Sequence, residues 1–119
     1  MNKIIKHRNK WPFGESTIIV LENGYALVKV SYETEYPDEC TIIGLTVHES
    51  RRKEGLGNKL LEEAEKEAKE YYNINKICLY TDCNSFTTDW YKRHGYHLDK
   101  DQIEINLDYP DIIKLCKEL

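Results

Sequence analysis

A short segment with two glycines decides how the middle of this chain folds: Arg52-Lys53-Glu54-Gly55-Leu56-Gly57. It follows an apolar run at residues 42–47 and precedes an amphipathic stretch that starts near Asn58. Such a segment is typical of a turn between a strand and a helix. The first amides of a helix lack intrahelical partners and carry partial positive charge, and glycine lets a ligand approach the backbone. We therefore expect this turn to bind an anionic ligand.

Two familiar phosphate-binding loops do not fit the segment. A nucleotide-triphosphate loop needs Lys-Ser or Lys-Thr after its last glycine, but Gly57 is followed by Asn58 and Lys59. A dinucleotide fingerprint needs three glycines and an acidic residue about 20 positions further on, whereas this turn has only two glycines. What remains is the pattern Arg-x-x-Gly-x-Gly at a strand-to-helix turn.

Length and composition limit the class of protein. The chain has 119 residues, which predicts a single domain over residues 1–119. It is 40% hydrophobic and 32% charged with a net charge of −4, as in a soluble globular protein. The acidity and the short cationic cluster at residues 51–53 argue against a nucleic-acid partner. No signal peptide or membrane span is recognisable, so we predict a cytoplasmic protein that does not contact a membrane.

The spacing of cysteines and histidines indicates neither a metal site nor a disulfide. The four cysteines form no Cys-x-x-Cys pair, so reduced thiols are expected. Of the four histidines, His94 and His97 are three apart but flank Gly95, where a helix is expected to end. We therefore predict no bound metal.

The first half of the chain predicts an antiparallel meander. Residues 17–21 and 25–32 are β-rich runs on either side of the pair Asn23-Gly24, a strong hairpin signal. After a polar segment, residues 40–47 predict a third strand, in which Gly44 indicates a bulge.

The second half predicts a helix, a parallel strand and a second helix. Apolar residues recur at spacings of three and four over residues 56–72, which predicts an amphipathic helix with a solvated charged face. Residues 77–80 form a short apolar run, the expected parallel neighbour of the third strand. A second helix should begin after a cap at Asn84 or Ser85 and run to residue 93. A strand and a short terminal helix are expected at residues 102–107 and 111–119.

Two segments in this order carry a family resemblance that spans roughly residues 40–96. The first is the strand, loop and helix of residues 43–61. In the second, residues 84–96, an asparagine precedes a helix that ends in an aromatic–tyrosine pair, and a glycine–aromatic pair follows. Together they resemble the GNAT superfamily of N-acetyltransferases. The resemblance implies an α/β fold: a mixed, mostly antiparallel central sheet with a V-shaped splay between the two central parallel strands, flanked by helices.

The resemblance also implies an activity and a coenzyme site. Family members transfer an acetyl group from acetyl-coenzyme A, by direct attack, to a primary amine of a small molecule or protein. In the family, loop amides bind the pyrophosphate, and the splayed strand bonds the pantetheine arm. Carried over, the coenzyme-binding residues are Leu45, Thr46, Val47, Arg52, Lys53, Glu54, Gly55, Leu56, Gly57, Asn58, Lys59, Asn84 and Tyr91.

Catalytic roles fall to few groups, because a thioester already has a good leaving group and the enzyme mainly aligns the amine. The resemblance makes the Leu45 amide the candidate oxyanion donor and Tyr91 the acid that protonates the departing thiolate. Each side chain has a simpler alternative. Tyr91 could only pack with Trp90 against the sheet, and Asn84 could cap its helix instead of, or as well as, binding the coenzyme.

The general base departs from the family pattern. Thr41 stands where some members carry a glutamate, and threonine is not a base at neutral pH. Glu39 would share a face with Thr41 on a continuous strand and is the candidate base, acting through water. Its alternative role is that of a solvated loop acid. His48, just after the strand, is a weaker candidate.

The front of the chain is short compared with the family, which usually places a strand and one or two helices there. Only about 16 residues precede the hairpin, and Pro12 and Gly14 argue against a helix among them. A scaffold truncated at this N-terminal end leaves the acceptor site open, or a homodimer completes it. Trp11 and Phe13 either line this opening or pack into the core. Two alternative functions would use the same scaffold without catalysis: an inactive coenzyme A-binding module and an interaction domain.

Overall fold

The computed structural model describes residues 3–82, 85–99 and 112–119, and these form a seven-stranded sheet with two α-helices. The strands are β1 (Ile4–Trp11), β2 (Gly14–Leu21), β3 (Ala26–Glu33), β4 (Cys40–Val47), β5 (Lys76–Asp82), β6 (His97–Leu98) and β7 (Ile112–Glu118). The helices are α1 (Leu56–Lys66) and α2 (Phe86–Arg93). In the described part of the chain, no helix combines the length and the apolar character that crossing a membrane requires.

The strands pair in the order β1-β2-β3-β4-β5-β7-β6. Within the described residues, β4 and β5 are parallel and the other neighbouring pairs are antiparallel. The crossover between β4 and β5 contains α1, as parallel neighbours require. The predicted fold class, a mixed and mostly antiparallel sheet flanked by helices, is confirmed.

The core lies on the face of the sheet that α1 covers. Along β2, Ile19 is fully buried, whereas its neighbour Ile18 points to the other face and is 39% exposed. Ile19 stands opposite Val28 of β3, which is also fully buried. The helix contributes Leu60 and Ala64 to the same hydrophobic cluster. Alternation along the strands and a spacing of four along the helix therefore meet in one apolar layer.

Strands β4 and β5 separate soon after they meet. Their ladder consists of two residue pairs in the described chain, Cys40 with Ile77 and Thr41 with Cys78. On its other edge, β4 pairs with β3, and the register shifts where Gly44 and Leu45 face a single β3 residue. Gly44 has φ of +66°, which favours glycine, and the predicted bulge is confirmed. The V-shaped splay thus lies between the two central parallel strands, as predicted.

Strand β1 was not predicted from the sequence, because its residues are mostly polar and exposed. A buried carboxylate holds it: Glu67 is 2% exposed and accepts two hydrogen bonds from Arg8, at 2.9 and 3.0 Å. Lys6 of the same strand donates to Glu67 at 3.3 Å, and Thr17 of β2 donates at 2.7 Å. The edge strand is therefore stabilised by an ion-pair cluster rather than by apolar burial. The turn from β1 to β2 contains Pro12, and no helix stands between them.

The amphipathic helix predicted over residues 56–72 is confirmed through Lys66, and the chain stays helical to Tyr71 with a last turn that is wider than predicted. After α1 the chain continues as one turn of π-helix, Glu67–Tyr71, and Tyr72 N–H donates to the Glu67 carbonyl at 3.1 Å. This widened turn carries Glu67 under β1 and β2. Single π-turns inside helices are rare, and the local spacing of apolar residues does not predict them.

The terminal helix predicted over residues 111–119 is also wrong, because β7 occupies Ile112–Glu118. All seven β7 residues pair with β5, from Lys76 with Glu118 to Asp82 with Ile112. Leu115 is fully buried in this arrangement. Pairing along the whole β5–β7 ladder therefore determines the conformation of this segment, against the local preference for a helix start after Pro110. The strand expected at residues 102–107 lies outside the described residues.

The expectation of four reduced thiols is wrong for one pair. Cys78 and Cys116 form a disulfide across β5 and β7, where the register places them directly opposite each other. They are 38 positions apart in sequence, so no short motif announces them. Among the cysteines of the described ranges, Cys40 remains free, and it is buried.

The Glu67 cluster makes a prediction about acid stability. Burial alone would raise the pKa of Glu67, but hydrogen bonds from Arg8 and Thr17 and the charge of Lys6 hold it below its usual range. A lowered pKa in the folded state stabilises the fold fully above the ordinary glutamate pKa of about 4.3, and this stabilisation is lost as pH falls through the folded value. Glu67→Gln should therefore lower the free energy of unfolding at neutral pH by about 2–3 kcal/mol and weaken its dependence on acid pH.

Urea unfolding followed by circular dichroism at neutral and acid pH measures both effects. The matched control is Glu62→Gln, since Glu62 is exposed on α1 and should change the unfolding free energy little. Equal stability of Glu67→Gln and Glu62→Gln at neutral pH would contradict the proposed role of the cluster.

Candidate functional site

A cavity of about 630 Å³ opens between the second half of β4, the start of α1 and one side of α2. It lies where β4 has already parted from β5. Its walls are formed by Leu45, Thr46, Val47, Arg52, Gly55, Gly57, Asn58, Phe86, Thr87, Trp90 and Tyr91. Three elements that are separate in sequence therefore converge on one concave surface.

The β4 wall offers main-chain hydrogen-bonding groups. Beyond Thr41 the described chain makes no ladder pair toward β5, so the N–H and C=O groups that β4 turns to that side have no strand partner there. Leu45 belongs to the bulge and lines the cavity. The Thr46 hydroxyl donates to the Gly44 carbonyl at 3.1 Å and braces the bulge. A ligand lying along β4 can take the place of the missing strand.

The start of α1 supplies the second wall. Gly55 precedes the helix with φ of +77°, a conformation that glycine adopts readily, and Leu56 is the first helical residue. The amides at the first turn lack intrahelical acceptors and carry the positive end of the helix dipole. Arg52 adds a full positive charge to the wall, with Nε donating to the Val47 carbonyl at 3.2 Å. This corner of the cavity is suited to an anion.

Trp90 of α2 stands against the same helix start. A side chain built on Gly57 would place its Cβ 3.5 Å from the Trp90 ring. This is ordinary contact distance, so the ring lies close to the start of α1 and still leaves room for a Cβ at position 57. The Trp90 ring also meets the Tyr91 ring edge to face, with centroids 4.9 Å apart. The floor of the cavity is therefore aromatic.

Tyr91 both packs and lines the cavity. It is 5% exposed, and its ring also contacts that of Tyr96 with centroids 5.5 Å apart. Burial raises the pKa of Tyr91 to about 12. The phenol therefore stays protonated throughout the neutral range and can donate a hydrogen bond into the cavity.

The candidate bases lie away from the cavity. Glu39 accepts a hydrogen bond from Lys114 Nζ at 2.9 Å and precedes Leu45 by six positions, roughly 20 Å along a strand. Thr41 stands at the last β4–β5 pair. His48 Nδ1 lies 2.7 Å from the Ser50 hydroxyl. Neither Glu39 nor His48 is among the lining residues, so the structure does not bring them to Tyr91.

Most of the predicted coenzyme residues are brought together. Those that line the cavity are Leu45, Thr46, Val47, Arg52, Gly55, Gly57, Asn58 and Tyr91. Lys53, Glu54, Leu56 and Lys59 do not line it. Leu56 is only 4% exposed and belongs to the core, and Lys59 pairs with Glu63 at 3.3 Å. Asn84 lies outside the described residues.

Three lining residues were missed as ligand contacts: Phe86, Thr87 and Trp90. They share one side of α2 with Tyr91, at the spacing of three and four that brings helical residues to the same face. That spacing could have found them once Tyr91 was chosen. Ser85, one of the two predicted caps, does cap α2, because its hydroxyl accepts from the Thr88 amide at 3.1 Å.

Trp11 and Phe13 lie elsewhere, at the turn between β1 and β2. Phe13 is 74% exposed and does not pack into the core. Trp11 is 38% exposed, and its ring lies over Gly14, where an added Cβ would come within 2.8 Å of it. Neither residue lines the cavity beside Leu45.

The splayed sheet, the glycine-bearing helix start and the buried tyrosine have the arrangement expected of an acyltransferase. Residues 14–98 match the family model described as Acetyltransferase (GNAT) domain. The chain therefore belongs to the GNAT acetyltransferase family. A search of curated protein sequences gives no significant match.

Solved acetyltransferase structures share the fold. A GNAT family acetyltransferase from Elizabethkingia anophelis with acetyl-CoA bound is 19% identical, with 99% of this chain and 98% of that one covered and a TM-score of 0.69. An acetyltransferase from Bacillus cereus is 25% identical over 96% of this chain and 74% of that one, with a TM-score of 0.64. A second Bacillus cereus protein, described as an IAA acetyltransferase, is 20% identical over 98% and 100%, with a TM-score of 0.66.

The helix start makes a prediction about donor binding. Gly57→Asp should lower the affinity for acetyl-coenzyme A at least about tenfold, because a carboxylate would stand where the pyrophosphate is predicted to bind. The fold should persist, since an acidic residue is favourable in the first turn of a helix. Isothermal titration calorimetry measures the affinity, and the melting temperature reports the fold.

Gly57→Ala is the matched control. Its Cβ would make ordinary contact with Trp90, so it should keep affinity within about threefold of the wild type. Gly55 is a less informative position, because its positive φ makes any substitution strained whether or not a ligand binds. An unchanged affinity in Gly57→Asp would exclude this helix start as the pyrophosphate site.

Proposed function

We propose that the protein is an N-acetyltransferase that moves an acetyl group from acetyl-coenzyme A to a primary amine of a small molecule or peptide, within one domain spanning residues 1–119. The observation that carries the proposal is that splayed β4, the start of α1 and Tyr91 all line the same cavity. Family membership supports the acetyl donor. The acetyl-CoA bound to the Elizabethkingia anophelis relative supports it as well.

The coenzyme would enter with its pyrophosphate at the start of α1. The free amides of residues 56–58 and the guanidinium of Arg52 supply donors and positive charge there. The pantetheine arm would continue along β4 and bond main-chain groups that β5 leaves unpaired. Backbone groups cost no side-chain entropy on binding, so such a site is already organised before the ligand arrives.

At the bulge, the Leu45 amide is the proposed donor to the thioester oxygen. Negative charge develops on that oxygen as the amine attacks the carbonyl carbon, and a preoriented amide stabilises it. Removing one donor from comparable sites in other enzymes costs about 2.7–4 kcal/mol. The Gly44 backbone matters for the same reason, because its left-handed conformation sets the direction of the next amide.

Tyr91 is the proposed partner of the leaving sulfur. An ordinary thiol has a pKa of about 8.5. With the pKa of the Tyr91 phenol at about 12, full proton transfer from it to a thiolate is unfavourable. The phenol therefore acts chiefly by donating a hydrogen bond that strengthens as charge collects on sulfur.

The attacking amine would have to arrive neutral or lose its proton to water. Among the described residues that line the cavity, Arg52 and Tyr91 are the ionisable ones, and neither is a base at neutral pH. The role of Glu39 as a base stays a prediction from the sequence. Its ion pair with Lys114 favours the alternative role of a loop acid.

A coenzyme A-binding module without catalysis is the second candidate function. The specific observation in its favour is that the described cavity wall holds no carboxylate or histidine at the place where an amine would attack. Both functions share the donor site. They differ in whether thiol is released when an amine is added.

The acceptor would approach from the sheet face opposite the helices, since the donor occupies the helix side of the splay. Near the splay this face carries Ile43 and Tyr80, which are 46% and 58% exposed. These exposed side chains do not form a pocket that would select one amine over another. A homodimer that completes the acceptor site and a cytoplasmic location stay predictions from the sequence.

Two assays test the proposed function. Acetyl-coenzyme A should raise the melting temperature of the protein, and a panel of primary amines should release free coenzyme A thiol from it. Donor stabilisation without thiol release for any amine would support the binding module instead. If neither effect occurs, an interaction domain on the same scaffold is the remaining function. Gly57→Asp serves as the control that should fail in both assays.

Tyr91 makes a prediction about pH. Tyr91→Phe should lower kcat by about tenfold or more with little change in donor affinity, because the hydrogen bond strengthens as charge collects on the departing sulfur. A phenol is active while protonated, and this one has a pKa of about 12. The ratio of wild-type to Tyr91→Phe kcat should therefore stay constant from about pH 7 to about pH 10.

Steady-state rates across this range, with one amine and saturating donor, give the ratio, in which ionisations of the amine cancel. A ratio that already begins to fall near pH 10 would indicate a phenol with the ordinary pKa of about 10, as in an exposed tyrosine. Equal rates of the two proteins at every pH would leave Tyr91 with packing alone.

A further inference from the structure

His94 stands behind the cavity wall at the end of α2, with both ring nitrogens facing hydrogen-bond acceptors. Nδ1 lies 2.7 Å from the Trp90 carbonyl oxygen, and Nε2 lies 2.8 Å from the amide oxygen of Asn58. Trp90 and Asn58 both line the cavity. A neutral imidazole carries one N–H and satisfies one of these acceptors, whereas an imidazolium carries two and satisfies both.

The protonation state and the tautomer of His94 therefore decide together which end of the Asn58 amide is left for a ligand. While the oxygen accepts from Nε2, the NH₂ group is available to the cavity. When the ring is neutral and its proton serves the Trp90 carbonyl, Nε2 becomes an acceptor, and the amide must turn over to donate to it. The oxygen is then the available end, and it repels a phosphate.

We propose that His94 is a positioning residue for the donor, whose imidazolium form holds Asn58 with its NH₂ group toward the pyrophosphate. The inference rests on the proposed function, because the ligand concerned is the coenzyme. Asn58 is the third residue of α1, so its NH₂ group adds to the amides that are free at the helix start. Binding of the pyrophosphate and protonation of His94 are thereby coupled, and each favours the other.

The surroundings of His94 accommodate a positive charge. The ring follows the last residue of α2, at the negative end of the helix dipole, and lies against the Trp90 ring with centroids 4.3 Å apart. The charged groups that share this corner are Lys92 and Arg93 beside it in the chain, and Glu62, Glu65 and Lys117 across a shallow depression. Lys117 is paired with Glu65 at 3.0 Å, so the depression itself is not dominated by positive charge.

The coupling fixes the direction of the pH effect. Binding takes up protons, so affinity should fall as pH rises from about 6 to about 8. One hydrogen bond to a charged ligand at a partly exposed site should make the affinity at about pH 6 roughly three- to tenfold higher than at about pH 8.

Dephospho-coenzyme A is the appropriate probe. It keeps the pyrophosphate but lacks the phosphate monoester, which would itself titrate near pH 6. Calorimetry with the full chain gives the affinity at about pH 6 and about pH 8, and the dependence of the binding heat on buffer ionisation enthalpy gives the proton uptake. The variants are His94→Gln and Asn58→Ala, and the matched control is His97→Gln, an exposed histidine on β6.

Wild type and His97→Gln should show the pH effect and the proton uptake, and both variants should lose them. If His94→Gln does not fold, Asn58→Ala carries the test, because it breaks the same link from the other side. Affinity independent of pH in the wild type, or a full pH effect in either variant, would overturn the inference and leave the proposed function standing. No binding at either pH would overturn both.

Discussion

The separation of β4 from β5 after two residue pairs is the constraint on which the site depends. A strand in the middle of a sheet normally has its N–H and C=O groups paired on both edges. Here β4 keeps β3 on one edge and loses β5 on the other, which leaves room for a ligand there. The bulge at Gly44 accompanies this separation, since an extra residue bends the strand and turns its amides. A coenzyme that lies along β4 would complete the sheet.

A gap in a sheet has to be offset by stability elsewhere. Strand β5 retains a full ladder with β7, and the Cys78–Cys116 disulfide joins the same two strands. On the other side, the Glu67 cluster fastens the outer strand β1 to the segment that follows α1. The two edges of the molecule are therefore held by contacts that leave the splay free. This arrangement explains why polar residues form the outermost strand without unfolding it.

The sequence predicted the parts of this structure that local chemistry determines. The glycine-bearing turn, the bulge at Gly44 and the amphipathic first helix each follow from residues within a few positions of one another. The parts it did not predict depend on distant partners: β1 needs Glu67, and β7 needs the edge of β5. The cavity was predicted along β4 and α1 but only at Tyr91 along α2. Trp90 went unassigned because packing and ligand contact impose the same pattern on a helix.

The contents of the cavity wall indicate where selectivity can arise. Main-chain groups, glycines and one helix start would recognise features that every acyl-coenzyme A shares, so this wall is suited to a donor and indicates little about the acceptor. With no base among the described lining residues, the proposed amine acceptor would react in proportion to how well it is aligned and how much of it is neutral. Groups that affect how the donor binds would then have a large effect on the rate. A histidine behind Asn58 does so without touching either reactant, because it governs which end of one amide the pyrophosphate meets.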